Sequence, residues 1–496
     1  MTIKPNKIII RMSLMKKIIL KLILGTIFVV LLAAAAYASF FVWKINSVEK
    51  KMAIDHNGQT SLIDTFKNLA TESPLHLKGI DDGRINILLL GIAGNEKGGK
   101  NLTDTIMIVS INTKTNQVAL FSIPRDLYVE VSGENFAGKI NSVFQYGLTR
   151  YPDDRAKAMG PIESVTRDIT SLDMDYWAVV NFNGFQKVID TIGGINVMNE
   201  RDIFDPTYPG PGYSYETFQL DKGLQHLDGA TALKYARMRH NDPEGDFGRA
   251  KRQQQVLQAV KNKVFSTGTL LDATVLNSLL DTLADNIQTN ISNGELSDFL
   301  QLLKKLDTAN ITNVVLDAWN SESLLKVSHL SFDNLTAFVL IPRVGNWTET
   351  EDLAKNIFDL NVIKSKRDKI AQENAIVVII NKSGNALVAD RIKNLLKKNF
   401  SYKNVATLTD PDRSTADTSM LYDLTNGAKP FTLDELAAKL PATISYALPS
   451  SYAKTVANIN SDIVLVIGKD LINKYNMVED SVENYNAAKD TNAYNN

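Results

Sequence analysis

Acidic and basic side chains stand at the ends of several apolar runs in this sequence. Asp104 precedes the run TIMIVSIN, and Arg125 and Asp126 directly follow QVALFSIP. Guanidinium groups bind oxyanions through paired hydrogen bonds, and Mg²⁺ is typically held by one or two carboxylates together with substrate phosphates. These residue types at these positions therefore predict a site for a phosphate-bearing substrate and a divalent cation.

A second group of basic residues lies further along the chain. Arg237 and Arg239 are two residues apart, so an extended segment would place both guanidiniums on one face. Arg249 and Gln253 are four apart on a predicted helix, with Arg252 beside them, and the first turns of a helix also favour an anion. For any one of these residues, a surface ion pair of little energetic value is the alternative interpretation. The candidate anion-binding residues are Arg125, Lys139, Arg237, Arg239, Arg249, Arg252 and Gln253.

The apolar pattern around these residues predicts mixed strands and helices. Buried strands are predicted at 85–92, 105–112, 117–124 and 176–182, with a hairpin turn at 113–116. Helices are predicted at 162–172, 183–193, 246–265 and 270–306, and a Pro- and Gly-rich surface loop at 203–219. A second unit follows, with strands at 374–381 and 462–468 and an amphipathic helix at 387–400. Strands and helices in this order predict an α/β fold.

The bulk composition restricts the class of protein. The chain has 496 residues, 44% of them hydrophobic, which suits a globular protein with a sizeable core. Its formal net charge of −1 gives no reason to expect nucleic-acid binding, which needs a basic face. Because the chain has no cysteine, disulfides, thiolate chemistry and Cys-ligated zinc are excluded.

The N-terminus predicts a membrane anchor. Residues 22–42 carry no charge and, as a helix rising about 1.5 Å per residue, would span roughly 30 Å, the thickness of a bilayer core. Only basic charges precede them, which predicts a cytoplasmic tail at 1–21, a signal-anchor helix at 22–43 and an external remainder. We therefore expect a single-pass protein of the cell membrane. A cleaved signal peptide is the competing interpretation, because Ala36-Tyr37-Ala38 resembles a cleavage site.

Residues 94–101, GNEKGGKN, come close to a Walker A phosphate-binding loop. Such a loop requires Ser or Thr after its lysine and a helix after the loop. Here Asn101 follows Lys100, and the next residues, LTDTIMIVSIN, are strand-like. We therefore expect that this loop binds no nucleotide.

The sequence resembles the LytR-CpsA-Psr family in a series of motifs that run in family order. They are INILLLGI, LTDTIMIVSIN, VALFSIPRDLYV, KINSVFQYG, DYWAVVNFNGFQKVIDTIGGINV, QHLDGATALKYARMRH and DFGRAKRQQQVL. The resemblance implies a phosphotransferase that moves a glycopolymer from a polyprenyl-pyrophosphate carrier to a sugar hydroxyl of peptidoglycan or another wall acceptor. It also implies a three-layer α/β/α sandwich with a mixed central sheet and an apolar tunnel for the lipid. Residues 374–470 resemble the LytR C-terminal domain, a small α/β domain.

By matching position, the resemblance also implies roles for individual residues. Arg125, Arg237, Arg239, Arg249 and Gln253 would hold the pyrophosphate, and Asp104 would bind Mg²⁺ or Mn²⁺. The candidate catalytic residues are thus Asp104, Arg125, Arg237 and Arg249.

One stretch departs from the family pattern. The family usually has Gly-x-Asp-x-Arg after the first strand, whereas this chain has GIAGN, so Ala93 replaces a second metal ligand. Glu96 and Asp126 are the candidates to supply the missing carboxylate.

The predicted domain order follows from these assignments. A stalk at 44–83 precedes a LytR-CpsA-Psr domain at 84–345, a linker at 346–373, the C-terminal domain at 374–470 and a disordered tail at 471–496. Two other functions stay open: hydrolysis of a lipid pyrophosphate, with water in place of the sugar, and non-catalytic binding of wall glycan or lipid carrier. A membrane-bound transcription regulator is discounted, because the predicted cytoplasmic segment is too short for a DNA-binding domain.

Overall fold

The computed structural model describes residues 74–473 apart from 95–98, 100, 211–213, 239–241, 243–244, 267–285, 319–322, 333–334, 409–411, 413 and 441. The predicted cytoplasmic tail, signal-anchor helix and most of the stalk therefore lie outside the described residues, as do residues 474–496 of the predicted tail. Within the described part of the chain, no helix is both long and apolar enough to cross a bilayer.

The N-terminal unit contains fourteen described strands and seven described α-helices. The strands are β1 (Arg84–Ile92), β2 (Thr103–Asn112), β3 (Gln117–Ile123), β4 (Tyr128–Glu130), β5 (Ala137–Lys139), β6 (Tyr176–Asn181), β7 (Ile195–Asn199), β8 (Ile203–Pro209), β9 (Tyr215–Leu220), β10 (Gly223–Leu227), β11 (Ile287–Thr289), β12 (Asp307–Val315), β13 (Leu325–Phe332) and β14 (Leu335–Pro342). The helices are α1 (Val143–Arg150), α2 (Arg155–Thr170), α3 (Phe182–Thr191), α4 (Gly229–Arg237), α5 (Gly245–Ser266), α6 (Asn293–Lys305) and α7 (Thr348–Lys355).

A six-stranded mixed sheet lies at the centre of this unit, in the order β11-β6-β1-β2-β3-β12. The pairs β1–β2, β2–β3 and β6–β11 are antiparallel. The pairs β1–β6 and β3–β12 are parallel. The predicted mixed α/β fold is therefore confirmed, and the turn predicted at 113–116 joins two antiparallel strands as expected.

The central strands are mostly apolar because both faces of the sheet are covered. Leu88 and Leu90 of β1 belong to a core cluster with Phe144 of α1. Ile85 of the same strand packs on the opposite side, in a cluster with Phe299 of α6. Side chains alternate across a strand, so a strand buried on both faces has a nearly continuous apolar run. Helices on both faces make this part of the molecule a three-layer arrangement.

The region predicted as a surface loop at 203–219 is instead a ribbon of two antiparallel strands, β8 and β9. The prediction was wrong because Pro206 and Pro209 indicate a loop. In a two-stranded ribbon each strand has a free edge, where a proline costs no ladder hydrogen bond. The register shifts between Asp205 and Tyr208, as in a β-bulge.

The C-terminal unit is a second α/β layer structure. Its elements are α8 (Asn361–Glu373), β15 (Ile376–Asn381), α9 (Ala386–Asn394), β16 (Asn404–Leu408), β17 (Met420–Asp423), α10 (Pro430–Lys439), β18 (Thr443–Ser445), α11 (Ser450–Val456), β19 (Ile463–Ile467) and α12 (Asp470–Asn473). Its five-stranded sheet has the order β16-β15-β19-β17-β18.

The segment predicted as a linker at 346–373 contains α7 and α8, and a buried ionic cluster ties it to the C-terminal unit. Arg343 binds both carboxylate oxygens of Glu349 at 2.7 Å. Lys439 of α10 lies 3.0 Å from the same carboxylate and also pairs with Glu435. We call Arg343, Glu349, Glu435 and Lys439 the junction cluster.

Candidate functional site

A cavity of about 170 Å³ opens at one edge of the central sheet. Because β1 and β3 both run antiparallel to β2, the end of β1, the start of β2 and the end of β3 meet at this edge. The cavity wall consists of Gly91, Asp104, Thr105, Arg125, Phe182, Asp205, Tyr208, Pro209, Arg237, Met238, Arg249 and Gln253. Five residues predicted from the sequence, Asp104, Arg125, Arg237, Arg249 and Gln253, thus come together from separate parts of the chain.

The carboxylate of Asp104 forms an ion pair with Arg125. The Arg125 Nη1 atom donates to Asp104 Oδ1 at 2.8 Å, from the strand end next to the start of β2. The Asp104 side chain is 39% exposed and that of Arg125 20% exposed, so a ligand in the cavity can reach both. The pair holds the guanidinium in place before any substrate arrives.

Helix α5 brings two further predicted residues to the cavity. Arg249 is buried, and its Nη2 atom donates to the main-chain oxygen of Asp104 at 3.2 Å. Gln253, one turn later, donates from Nε2 to the main-chain oxygen of Ala236 at 3.3 Å. The predicted spacing of four residues on one helical face is what allows both side chains to line the same cavity.

Arg237 reaches the cavity from the last residue of α4. Its segment is helical up to this residue, so the extended geometry that would place Arg237 and Arg239 on one face is not adopted at Arg237. The C-terminal end of a helix favours a cation, since its last carbonyl groups carry partial negative charge. The Arg237 guanidinium lies 4.4 Å from the centre of the Phe182 ring, which is a cation–π contact. Arg239 lies outside the described residues.

Arg252 was predicted to bind the anion, but it does not line the cavity. Its buried guanidinium pairs with Asp242 and donates to the main-chain oxygens of Tyr235 and Met238. These two carbonyl groups stand on either side of Arg237 in the chain. Arg252 is therefore a positioning residue for Arg237, because it faces the helix that carries that arginine rather than the sheet edge.

Lys139 and Asp126 also lie apart from the cavity wall. The Lys139 Nζ atom is 2.6 Å from Asp126 Oδ1, so the two charges satisfy each other. Asp126 additionally lies 3.5 Å from the Nε atom of Arg125. The structure thus gives Asp126 the role of a support for Arg125 and not of a cavity carboxylate, while Glu96 lies outside the described residues.

Comparison with known proteins identifies the family. The sequence profile of the LytR_cpsA_psr family matches residues 41–338. The chain belongs to this family.

Several named proteins are similar to this LytR_cpsA_psr member. The polyisoprenyl-teichoic acid–peptidoglycan teichoic acid transferase TagU of Bacillus cereus is 30% identical over 286 residues, which cover 57% of this chain and 83% of the relative. TagU of Bacillus subtilis is 30% identical over 277 residues, with coverage of 56% and 79%. A crystal structure of TagV from B. subtilis is 24% identical, with a TM-score of 0.43 and coverage of 56% and 97%. The prediction of a transferase of this family is confirmed.

Two carboxylates of the cavity wall, Asp104 and Asp205, are the candidates to hold a divalent cation. Among the described residues, no three His, Cys, Asp or Glu side chains are grouped so that they could hold a metal ion. Mg²⁺ does not require such a cage, since one or two carboxylates suffice when the substrate supplies phosphate oxygens. Both carboxylates line the cavity, and Asp205 Oδ1 accepts hydrogen bonds from Thr207. The two carboxylates therefore have the chemistry to hold Mg²⁺ when a ligand supplies phosphate oxygens.

Seven residues of the cavity wall were not predicted from the sequence, and three of them carry side chains that matter for the site, namely Phe182, Asp205 and Tyr208. The last two lie in the ribbon that was predicted to be a loop. Ile203 and Asp205 are buried and Phe204 is exposed, so burial alternates as in a strand, but Ile-Phe-Asp shows no matching alternation of polarity in the sequence. Phe182 gave no signal of its own, because an aromatic residue at the start of a helix is usually a core residue.

A larger cavity, of about 560 Å³, lies between the end of β12 and helices α7, α8 and α10. Its wall contains none of the residues predicted to bind the substrate. We therefore take the smaller cavity, which the predicted substrate-binding residues line, as the candidate functional site.

Proposed function

We propose that this LytR_cpsA_psr member is a membrane-anchored, extracytoplasmic phosphotransferase. It moves a glycopolymer, such as a teichoic acid or a capsular polymer, from a polyprenyl-pyrophosphate carrier to a sugar hydroxyl of peptidoglycan or another wall acceptor. The observation that carries the proposal is the convergence of Arg125, Arg237 and Arg249 on one cavity that also contains Asp104. The names of the TagU relatives describe this type of transfer.

The reaction transfers a phosphoryl-linked polymer without net redox change. The acceptor hydroxyl oxygen forms a bond to the phosphorus atom that carries the glycopolymer, and its proton is released. The bond from this phosphorus to the bridging oxygen breaks, and polyprenyl phosphate leaves with the electron pair. Negative charge therefore grows on the leaving phosphate and is spread over the oxygens of the transferred group.

The arginines of the cavity are suited to stabilise this charge. Each guanidinium is already fixed: Arg125 by the Asp104 carboxylate, Arg249 by the Asp104 carbonyl, and Arg237 by the Phe182 ring. Fixed donors need little reorganisation during the reaction, which is why preorganised cationic groups lower the barrier. Mg²⁺ or Mn²⁺, held by Asp104 and Asp205, would supply additional charge neutralisation.

The membrane anchor at 22–43 and the apolar lipid tunnel are parts of the proposal that rest on the sequence. An anchor would keep the cavity near the membrane that holds the polyprenyl chain. Fusion of a periplasm-active reporter enzyme before residue 22 and after residue 473 tests the orientation. We expect activity only for the C-terminal fusion.

A transfer assay distinguishes the proposed function from its two alternatives. The full-length chain in detergent is incubated with a radiolabelled polyprenyl-pyrophosphate glycopolymer, with and without peptidoglycan. We expect label to enter peptidoglycan, and Arg237→Ala to abolish this. Release of soluble phospho-glycopolymer regardless of the acceptor would instead show a hydrolase, and binding with no product would show a non-catalytic protein. Arg167→Ala is the matched control, because this arginine is 57% exposed and pairs only with surface Asp173 among the described ion pairs.

A further inference from the structure

Tyr208 lies in the wall of the arginine cavity and is almost completely buried. Its residue exposure is 3%, and its ring packs against Phe218 with ring centres 5.6 Å apart. The Arg237 guanidinium lies 5.9 Å from the centre of the same ring. A phenol hydroxyl is thus placed next to a cation that the proposed function assigns to the substrate.

Among the described residues, the hydroxyl group of Tyr208 has no hydrogen-bond partner of ordinary distance and angle, although the Arg237 guanidinium is near enough to interact with it. A buried polar group without a partner lowers the stability of the folded state. Such groups are rare in folded proteins, and each calls for a physical explanation. A phenylalanine at position 208 would keep the ring contacts with Phe218 and Arg237 without this cost.

The local backbone turns this side chain toward the cavity. In a regular strand, residues three apart point to opposite faces. The register of β8 and β9 shifts between Asp205 and Tyr208, and as a result both side chains are buried and line the cavity. Bulges of this kind often re-aim a side chain beside an active site.

The hydroxyl group of Tyr208 is protonated and can therefore donate a hydrogen bond. Burial raises the pKa of Tyr208 above its ordinary value of 10.0, and the positive charge of Arg237 acts in the opposite direction without cancelling the effect. The hydroxyl therefore keeps its proton at neutral pH. A neutral donor beside a cation favours an anionic ligand, since both groups can bind the same oxyanion.

We propose that Tyr208 is a substrate-contacting residue whose hydroxyl donates a hydrogen bond to an oxygen of the pyrophosphate held by Arg237. This inference rests on the proposed function, because it takes the pyrophosphate of the lipid carrier as the ligand. Tyr208 thereby supplies a neutral contact in a cavity whose other anion-binding groups are mostly cationic.

The variant Tyr208→Phe tests the inference, since it removes one oxygen atom and keeps the ring. A hydrogen bond to a charged group contributes about 1.5–3 kcal/mol, so we expect pyrophosphate affinity and kcat/KM to fall about 10- to 100-fold. We also expect the melting temperature to stay the same or rise, because a buried orphan hydroxyl is removed. Binding is measured by calorimetry with inorganic pyrophosphate on the full-length chain in detergent, and kcat/KM by the transfer assay.

Tyr402 provides a matched control in the C-terminal unit. It is 7% exposed, its hydroxyl also lacks a partner within the described structure, and burial raises its pKa as well. Tyr402→Phe should therefore preserve or raise the melting temperature and leave pyrophosphate affinity unchanged. A melting temperature that falls for Tyr208→Phe together with its affinity would indicate a merely structural role and overturn the inference.

The calorimetry and the transfer assay together distinguish a failure of this inference from a failure of the proposed function. If the parent binds pyrophosphate but transfers no polymer, the proposed function fails, and the affinity of Tyr208→Phe still decides the role of the hydroxyl. If the parent transfers polymer and Tyr208→Phe equals it in affinity and kcat/KM, only the inference fails. A parent chain that binds no pyrophosphate would also overturn the inference.

Discussion

The Arg249 guanidinium donates a hydrogen bond to the main-chain oxygen of Asp104, 3.2 Å away and 145 residues earlier in the chain. The side chain of Asp104 is held separately, by Arg125. Two arginines from α5 and from the end of β3 therefore fix the backbone and the carboxylate of one residue. The two arginines thus set the position of Asp104 in the cavity. A substitution of Asp104, Arg125 or Arg249 should therefore also displace the side chains of the other two.

We predict that Arg249→Lys lowers kcat/KM about 10- to 100-fold although it keeps the positive charge. The ammonium group of lysine cannot reproduce the planar fork that reaches the Asp104 carbonyl and the cavity together. The transfer assay measures the effect, and Arg167→Lys serves as the control for an arginine-to-lysine change on the surface. Equal activity of Arg249→Lys and the parent would show that only charge, and not geometry, is required at this position.

We predict that Asp104→Asn abolishes Mg²⁺-dependent transfer and weakens Mg²⁺ binding. The change keeps the size of the side chain and removes the negative charge that Mg²⁺ and Arg125 both use.

Since Ala93 supplies no carboxylate, Ala93→Asp should lower the Mg²⁺ concentration needed for half-maximal activity. Activity is measured against free Mg²⁺, and binding by calorimetry in the presence of pyrophosphate. Full activity of the parent in excess chelator would contradict the assignment of Asp104.

The central sheet was predictable because fully buried strands appear as continuous apolar runs. INILLLGI and TIMIVSIN were placed within two residues of β1 and β2. The ribbon of β8 and β9 was missed, since it is half exposed and contains two prolines. Its strands are held by each other and by the core beneath them, and neither contact is visible in a local window of sequence.

The candidate site was predictable only in part, and the arginines show why. Arg249 and Arg252 are three residues apart on the same helix, and residue type alone does not distinguish their roles. Arg249 faces the sheet edge, whereas Arg252 faces Asp242 and the carbonyl groups around Arg237. Which face of a helix meets the cavity depends on how that helix packs, which is a tertiary property.

We predict that Gly248→Ala lowers kcat/KM about 10- to 100-fold by displacing the start of α5. A Cβ atom at Gly248 would clash with the Asp242 carboxylate, which is held by Arg252. The clash moves either the carboxylate or the helix that carries Arg249. Gly160→Ala in α2 is the matched control, because among the described residues a Cβ atom there meets no atom of another element within 4 Å. It should stabilise the protein by about 0.5–1 kcal/mol and leave transfer unchanged.

The contribution of the junction cluster to the free energy of unfolding should depend on pH. Glu349 is 7% exposed, and burial alone would raise its pKa. The hydrogen bond from Arg343 and the positive charges of Lys439 and Arg343 outweigh burial, so that its pKa lies below the ordinary value of 4.5. A lowered folded-state pKa means that the ionised carboxylate stabilises the fold above pH 4.5. This contribution is lost as the pH falls from 4.5 through the folded-state pKa.

Glu349→Gln should therefore lower the free energy of unfolding at pH 7 by about 3 kcal/mol, since it removes the buried anion that Arg343 binds through both oxygens and one of the two carboxylates that Lys439 contacts. Below pH 4.5 the parent should lose stability steeply, whereas the variant should show a shallower slope, because it has no proton to bind at this position. Denaturant unfolding between pH 3 and pH 8 measures both effects. Asp417→Asn is the control: its carboxylate is 88% exposed and pairs with Lys469 at the surface, so its removal should leave the unfolding midpoint unchanged. Parallel pH profiles for Glu349→Gln and the parent would show that the ionised Glu349 does not hold the C-terminal unit against the linker helices.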